Sequence, residues 1–124
     1  MFLRIIIILA LSLSLYSCKN KNKIAYKPQN KINAFDLYEE GMNAFQKNDF
    51  FFASKKFSEA ELNFKKVDLA AKASIMSAYS LYGINFYDEA LENLDRYLTI
   101  YPADKNVMYA HFLIATIYFE QISD

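Results

Sequence analysis

Hydrophobic and polar positions divide the chain into three stretches. Ile5 to Leu15 is a run of eleven uncharged, mostly apolar residues behind a short start that carries Arg4. Residues 19–33, KNKNKIAYKPQNKIN, are polar and basic, with five Lys, no acid and one Pro. From residue 34 the apolar positions recur at helical spacing: Phe35, Tyr38, Met42 and Phe45 on one stripe, Leu37, Gly41 and Ala44 on another. Asn33 is placed as an N-cap with Asp36 three residues on. The spacing predicts helices near 34–47, 50–65, 69–83, 86–100 and 105–121. Asn48-Asp49 interrupts the first pair, and Pro102 closes the second because it restricts Tyr101 and cannot continue a helix.

The same residue types return at a fixed interval. Gly41, Ala78 and Ala115 are spaced by 37, as are Asn48 and Asn85, Ala53 and Ala90, and Phe57 and Leu94. Each unit reads as helix A, a short Asn turn, then helix B. Small residues at these places let two helices approach closely while a larger side chain on the facing helix fills the notch. Gly41 with Ala53, and Ala78 with Ala90, fit that role; Ala115 is the third helix-packing position. The offsets resemble those of the tetratricopeptide repeat (TPR), whose period is about 34 residues. Glu40 and Ser77 stand where that repeat prefers an aliphatic residue, Lys65 where Pro is common, and Tyr97 replaces the small residue matched by Ala60. The expected fold is all-α: a TPR-like antiparallel helix-hairpin solenoid of about two and a half repeats over residues 34–124. The third unit stops after helix A, leaving the Phe112, Ala115 and Phe119 stripe without a helix B, so the chain reads as an N-terminal fragment of a longer array.

Composition agrees with helices, since the chain has only two Gly and two Pro. The 14 basic residues balance the 14 acidic ones, so no strong field draws nucleic acid. The lone cysteine, Cys18, can form neither an internal disulfide nor a metal cluster. Its position suggests another role. Eleven helical residues cover about 16 Å, short of a hydrocarbon core of about 30 Å. A charged start, a short apolar run and a small residue before a cut site form the export-signal pattern, which assigns residues 1–17 to a signal peptide. Leu15-Tyr16-Ser17-Cys18 resembles a lipobox, with Leu15 three before Cys18 and Ser17 just before it; Tyr16 is bulkier than usual. The match implies acylation of Cys18 and anchoring by two or more chains. The alternative is a signal anchor with a free thiol. Residues 18–33 then form the lipidated start and a flexible linker, either a soluble spacer or a segment resting on anionic headgroups. Lys19, where enteric-type sorting would place a retaining Asp, favours the periplasmic face of the outer membrane.

Residues 78–121 resemble the outer-membrane assembly factor BamD family. The carriers are an Ala-Tyr-rich helix A, Ala90-Leu91 opening helix B, the step Asp95-Arg96-Tyr97-Leu98, Pro102, and Asn106, Tyr109 and Ala110 leading the next helix. Leu37-Tyr38 and Gly41 match the first repeat of that family. Asp104-Lys105 and Lys65-Lys66-Val67 depart from its pattern. The resemblance implies an adaptor of the β-barrel assembly machinery, palmitoylated at its lipid anchor and aiding membrane insertion. Its partners would be a POTRA-bearing outer-membrane barrel component, other assembly lipoproteins and unfolded outer-membrane proteins. A second reading is another periplasmic TPR lipoprotein that scaffolds cell-wall or pilus-assembly proteins.

Projecting the repeat puts Tyr38, Met42, Phe45, Lys72, Ile75, Tyr79, Tyr82, Tyr109 and Phe112 on the concave side as a candidate peptide-binding groove. Such a trough could receive an extended aromatic segment and its terminal carboxylate beside Lys72. The alternative is that these rings only pack between helices. No catalytic set accompanies the single histidine, His111, and no Gly-rich phosphate loop exists; neither an enzyme, a metal nor a cofactor is expected. Glu39-Glu40, Glu59 and Glu61 read as solvated helix faces.

Overall fold

A computed structural model describes residues 33–123, so the signal, the lipobox, Cys18 and all but the last residue of the linker lie outside the described residues. Five helices follow one another: α1 (Ala34–Gln46), α2 (Phe50–Asn63), α3 (Val67–Tyr82), α4 (Tyr87–Ile100) and α5 (Val107–Ser123). Each packs on the next, and α3 also touches α5, as in a stack of antiparallel hairpins. This is the TPR-like solenoid that the interval of 37 predicts, and the helix ends lie within a few residues of the expected ones.

Local chemistry sets the boundaries. Asn33 caps α1, its side chain accepting from the Phe35 N–H at 3.1 Å while its amide donates to Asp36 at 2.9 Å. Asn48 and Asn85 have φ of 59° and 60°, the left-handed conformation that ends a helix and that Asn tolerates better than most side chains. Their backbone bonds match: Asn48 N–H to Phe45 C=O and Asp49 N–H to Ala44 C=O, then Asn85 N–H to Tyr82 C=O and Phe86 N–H to Leu81 C=O. The repeat therefore extends to the geometry of its turns. They differ in the next cap, since Asp49 accepts from the Phe52 N–H and Phe86 offers no side-chain acceptor. Before Pro102, α4 stops at Ile100.

The core is a seam of small residues and large plugs. A Cβ placed on Gly41 would meet the Phe57 ring at 2.8 Å, so α1 and α2 approach through the missing side chain. Phe57 is fully buried with Ala53 and Ala44. One unit on, Ala78, Ala90 and Leu94 are buried together with Tyr97, Ala110, Leu113 and Ile117. Gly-with-Phe and Ala-with-Leu thus occupy equivalent places, a trade of volume across the contact. The central helix α3 is buried on both sides by Ala and Ser. Ser77, at a place where TPRs favour an aliphatic residue, donates to the Ser54 C=O at 3.0 Å and meets Ser58 Oγ at 2.8 Å, so its hydroxyl is satisfied.

Two readings need correction. Ala115 is exposed, because none of the described helices lies over that side of α5, which instead buries Ala110, Leu113 and Ile117. Glu61 is not solvated: it is 6% exposed and takes a two-pronged ion pair from Arg96 at 2.7 and 2.8 Å. The Tyr101 hydroxyl donates to the same carboxylate at 2.9 Å, tying α2 to the end of α4. Burial, with Glu61 beside it, pushes the Tyr101 phenol to about 12. Tyr97 fills the place of a small residue because its hydroxyl reaches Asp104 in the α4–α5 turn. Burial raises the Asp104 carboxyl, but bonds from Tyr97, Asn106 and Lys105 outweigh it and hold the group below its ordinary value.

Candidate functional site

The helix A elements, α1, α3 and α5, each contribute a ring to one row. Phe45 of α1 lies 5.7 Å from Tyr79 of α3, centroid to centroid, and Tyr79 lies 6.3 Å from Tyr109 of α5. These rings line an open groove of about 590 Å³ with Lys72, Ile75, Met76, Lys105 and Asn106. Ile75 is 6% exposed and supplies floor rather than rim. Lys72 belongs to a partly aromatic setting, its Nζ 5.4 Å over the Tyr38 ring. Burial, with Tyr79 next to it, raises the Tyr109 phenol, so it stays a neutral hydroxyl near pH 7. The trough thus combines flat apolar rings, two lysines and amide and phenol groups able to bond a peptide backbone.

Of the other predicted groove residues, Tyr38 and Met42 pack into the first hairpin, whereas Tyr82 and Phe112 extend the row of rings. Tyr38 packs against Phe57 at 5.2 Å and Phe64 at 6.2 Å, and Met42 against the Ala44, Ala53 and Phe57 cluster, inside the first hairpin. Tyr82 keeps its ring 6.0 Å from Tyr79, while its hydroxyl donates to Glu120 at 2.7 Å and Tyr87 donates to the other oxygen at 2.8 Å. That clamp joins α3, α4 and α5; the bond to Glu120, aided by burial, pushes the Tyr82 phenol to about 12. Phe112 is exposed and stacks obliquely on Tyr109 at 6.3 Å, continuing the row onto the outer part of α5. Sequence projection missed Met76, Lys105 and Asn106. Lys105 and Asn106 sit in a turn, where helical periodicity carries no signal, and Met76 lies one residue beyond Ile75 on the inner side of α3.

A second, smaller groove of about 430 Å³ lies at the start of the array among Asn33, Phe35, Phe64, Lys65, Lys66 and Leu69. Among the described residues no group of His, Cys, Asp and Glu is placed to hold a metal ion, and no helix is long and apolar enough to cross a membrane.

Comparison with known proteins gives the family. Residues 30–124 match the model of the YfiO family, described as outer membrane lipoprotein. The chain is 31% identical over 119 residues to the outer membrane protein assembly factor BamD of Rickettsia prowazekii, covering 94% of this chain and 45% of that protein. It is 32% identical over 88 residues to the BamD of Caulobacter vibrioides, covering 71% of this chain and 29% of that protein. It therefore spans less than half the length of these relatives. No solved structure matches the chain. With a family model that spans the whole helical array and two relatives above 30% identity, the chain belongs to the BamD (YfiO) family of outer membrane lipoproteins.

Proposed function

We propose that the chain is a lipid-anchored adaptor of the β-barrel assembly machinery, held at the periplasmic face of the outer membrane through acylated Cys18. Its helical array binds extended segments of unfolded outer-membrane proteins in the groove between α1, α3 and α5. A POTRA-bearing barrel component and other assembly lipoproteins are its standing partners. It does this by binding, with no catalytic step.

The observation that carries the reading is the row of Phe45, Tyr79 and Tyr109 beside Lys72 and Lys105. A strand that ends in alternating aromatic residues offers rings to such a row and a terminal carboxylate to the lysines. The family relationship supports an assembly role, since the named relatives are outer membrane protein assembly factors.

The test is binding of a fluorescent ten-residue peptide that alternates aromatic residues and ends in Phe with a free carboxylate. Tyr79→Ala with Tyr109→Ala should weaken binding by about tenfold or more, which corresponds to about 1.4 kcal/mol. Amidation of the peptide's terminus should weaken it further through the lost contact to the lysines. Phe51→Ala, on a helix B outside the groove, should leave it unchanged. Equal affinity of the wild-type and doubly substituted chains would remove the groove from the account.

A further inference from the structure

The edge of the solenoid where the chain enters carries its own surface. Because the helices alternate in direction, the starts of α1, α3 and α5 and the ends of α2 and α4 meet along one side. Two shallow hollows show this adjacency. One joins Asn33 and Phe35 to Phe64, Lys65 and Lys66; the other joins Val67 and Asp68 to Ile100, Tyr101 and Asp104. Large apolar side chains stand out along the edge: Leu62 is 82% exposed, Val67 70%, Phe35 61% and Ile100 51%. Lys65, Lys66 and Lys105 are exposed among them.

Glu61 is buried here against Arg96 and Tyr101, and the other acids at these helix ends are Asp36, Asp68 and Asp104. The bonds that Asp36 accepts from Asn33 and Asp104 accepts from Tyr97 and Asn106 come from neutral donors, so on the folded edge Lys65, Lys66 and Lys105 face three carboxyl groups. The segment joining this edge to Cys18 adds Lys19, Lys21, Lys23, Lys27 and Lys31 and no acid. On the opposite edge the exposed rings of Phe51, Phe52 and Phe86 come with Asp49, Asp88 and Glu89 and with Lys47, Lys55 and Lys56, the last 5.3 Å over the Phe52 ring. Both folded edges are apolar and close to charge balance, and the five lysines of the tether make the entry edge the basic one.

We propose that the entry edge, Phe35, Leu62, Lys65, Lys66, Val67 and Ile100, docks on an anionic phospholipid bilayer, with the apolar side chains in the headgroup layer and the lysines on phosphates. This rests on the lipid anchor at Cys18 in the proposed function. The fifteen residues from Cys18 to Asn33 span at most roughly 50 Å when fully extended, so an anchored domain stays close to the surface and meets it at high local concentration. Under that restraint the apolar edge next to the basic tether is the one that contacts an anionic surface favourably, since each tether lysine near it gains attraction and each exposed apolar side chain loses water contact. Docking by this edge sets the helix axes steeply to the membrane and leaves the groove open at the side.

The absence of Trp makes a direct test possible. The full chain, processed and acylated in cells, is purified as single-Trp variants Leu62→Trp and Phe51→Trp and reconstituted on vesicles of phosphatidylethanolamine and phosphatidylglycerol (3:1). Brominated acyl chains then report the depth of each indole, while flotation and intact mass report anchoring separately. The proposal expects both variants to float with an acylated mass, the Leu62→Trp emission to fall at least twofold with brominated lipid, and the Phe51→Trp emission to stay unquenched. Adding Lys65→Gln and Lys66→Gln, or using phosphatidylcholine alone, should reduce the quenching. Acylated, floating protein whose Leu62→Trp indole is unquenched overturns the docking edge and leaves the anchor standing. Protein that neither floats nor carries acyl mass overturns the anchor and the docking edge together.

Discussion

Gly41 and Phe57 offer a quantitative test of how the repeat is held together. Changing Gly41 to Ala adds a methyl whose carbon would lie 2.8 Å from two atoms of a fully buried ring. In a helix interior Ala is favoured over Gly by about 1 kcal/mol, which alone predicts stabilisation. Overpacking a tight contact costs about 1–3 kcal/mol, and the upper half applies because Phe57 is 0% exposed and has nowhere to move. The net expectation is a loss of about 1–2 kcal/mol. Phe57→Leu alone removes ring volume opposite Gly41 and costs about 1.5 kcal/mol. Together the two substitutions copy the Ala78 and Leu94 pair found 37 residues on. The methyl then fills the space the ring vacates, so the double variant should be more stable than the sum of the singles by about 2 kcal/mol. Urea unfolding followed by circular dichroism at 222 nm measures all four corners of the cycle. A coupling within about 0.5 kcal/mol of zero, or a Gly41→Ala variant stabilised by the full helix preference, would refute close packing of α1 on α2 through this notch.

Further outcomes follow from the polar contacts. Glu61→Gln should lower stability by about 2 kcal/mol in urea unfolding, less than for a fully enclosed pair because the Arg96 side chain is 38% exposed; Glu61→Leu with Arg96→Met should recover most of the loss. Asn48→Gly and Asn85→Gly should leave thermal stability within a few tenths of a kcal/mol, whereas Asn48→Ala and Asn85→Ala should each cost about 1 kcal/mol, because φ near 60° is strained for a residue with a Cβ and no local bonding group. The Tyr82–Glu120 clamp makes stability depend on pH at both extremes. The Tyr82 phenol is raised from 10.0 to about 12, so its contribution is complete below pH 10 and fades as pH climbs towards 12. Glu120 is held below 4.5 by the bonds from Tyr82 and Tyr87, so its contribution is present above that pH and disappears as the carboxylate protonates on acidification. Tyr82→Phe should remove one late-titrating tyrosine from the absorbance titration at alkaline pH and flatten the acid limb of the melting-temperature profile.

Much of the architecture was legible because it repeats. A residue type recurring every 37 positions is evidence for one contact made twice, and Asn48 and Asn85 show this down to their backbone angles. Contacts made once were harder to read. Glu61 looks like a solvated residue on α2 because its partner, Arg96, lies 35 residues away on α4. Tyr97 departs from the repeat, and its place makes sense only with Asp104 beside it. The position of Ala115 predicts helix packing, but periodicity identifies a face without naming what covers it. The groove shows the same division. Phe45, Lys72, Ile75, Tyr79 and Tyr109 fall together because helix A of each unit turns the same face inward. Tyr82 joins them through its ring beside Tyr79, while Tyr38 and Met42 share that face by spacing, yet Phe57 and the first-hairpin cluster draw them aside.

The groove's role is tested most directly by where a bound segment touches the chain. A peptide of alternating aromatic residues, with benzoylphenylalanine as its last residue and a free carboxylate, can be photo-crosslinked to the chain and mapped by mass spectrometry. The account predicts adducts concentrated at Met76, Tyr79, Asn106 and Tyr109, displaced by excess unlabelled peptide and lost on Tyr79→Ala with Tyr109→Ala. Adducts concentrated instead on Phe51, Phe52 or the exposed part of α5 around Tyr118, with the groove unlabelled, would contradict it.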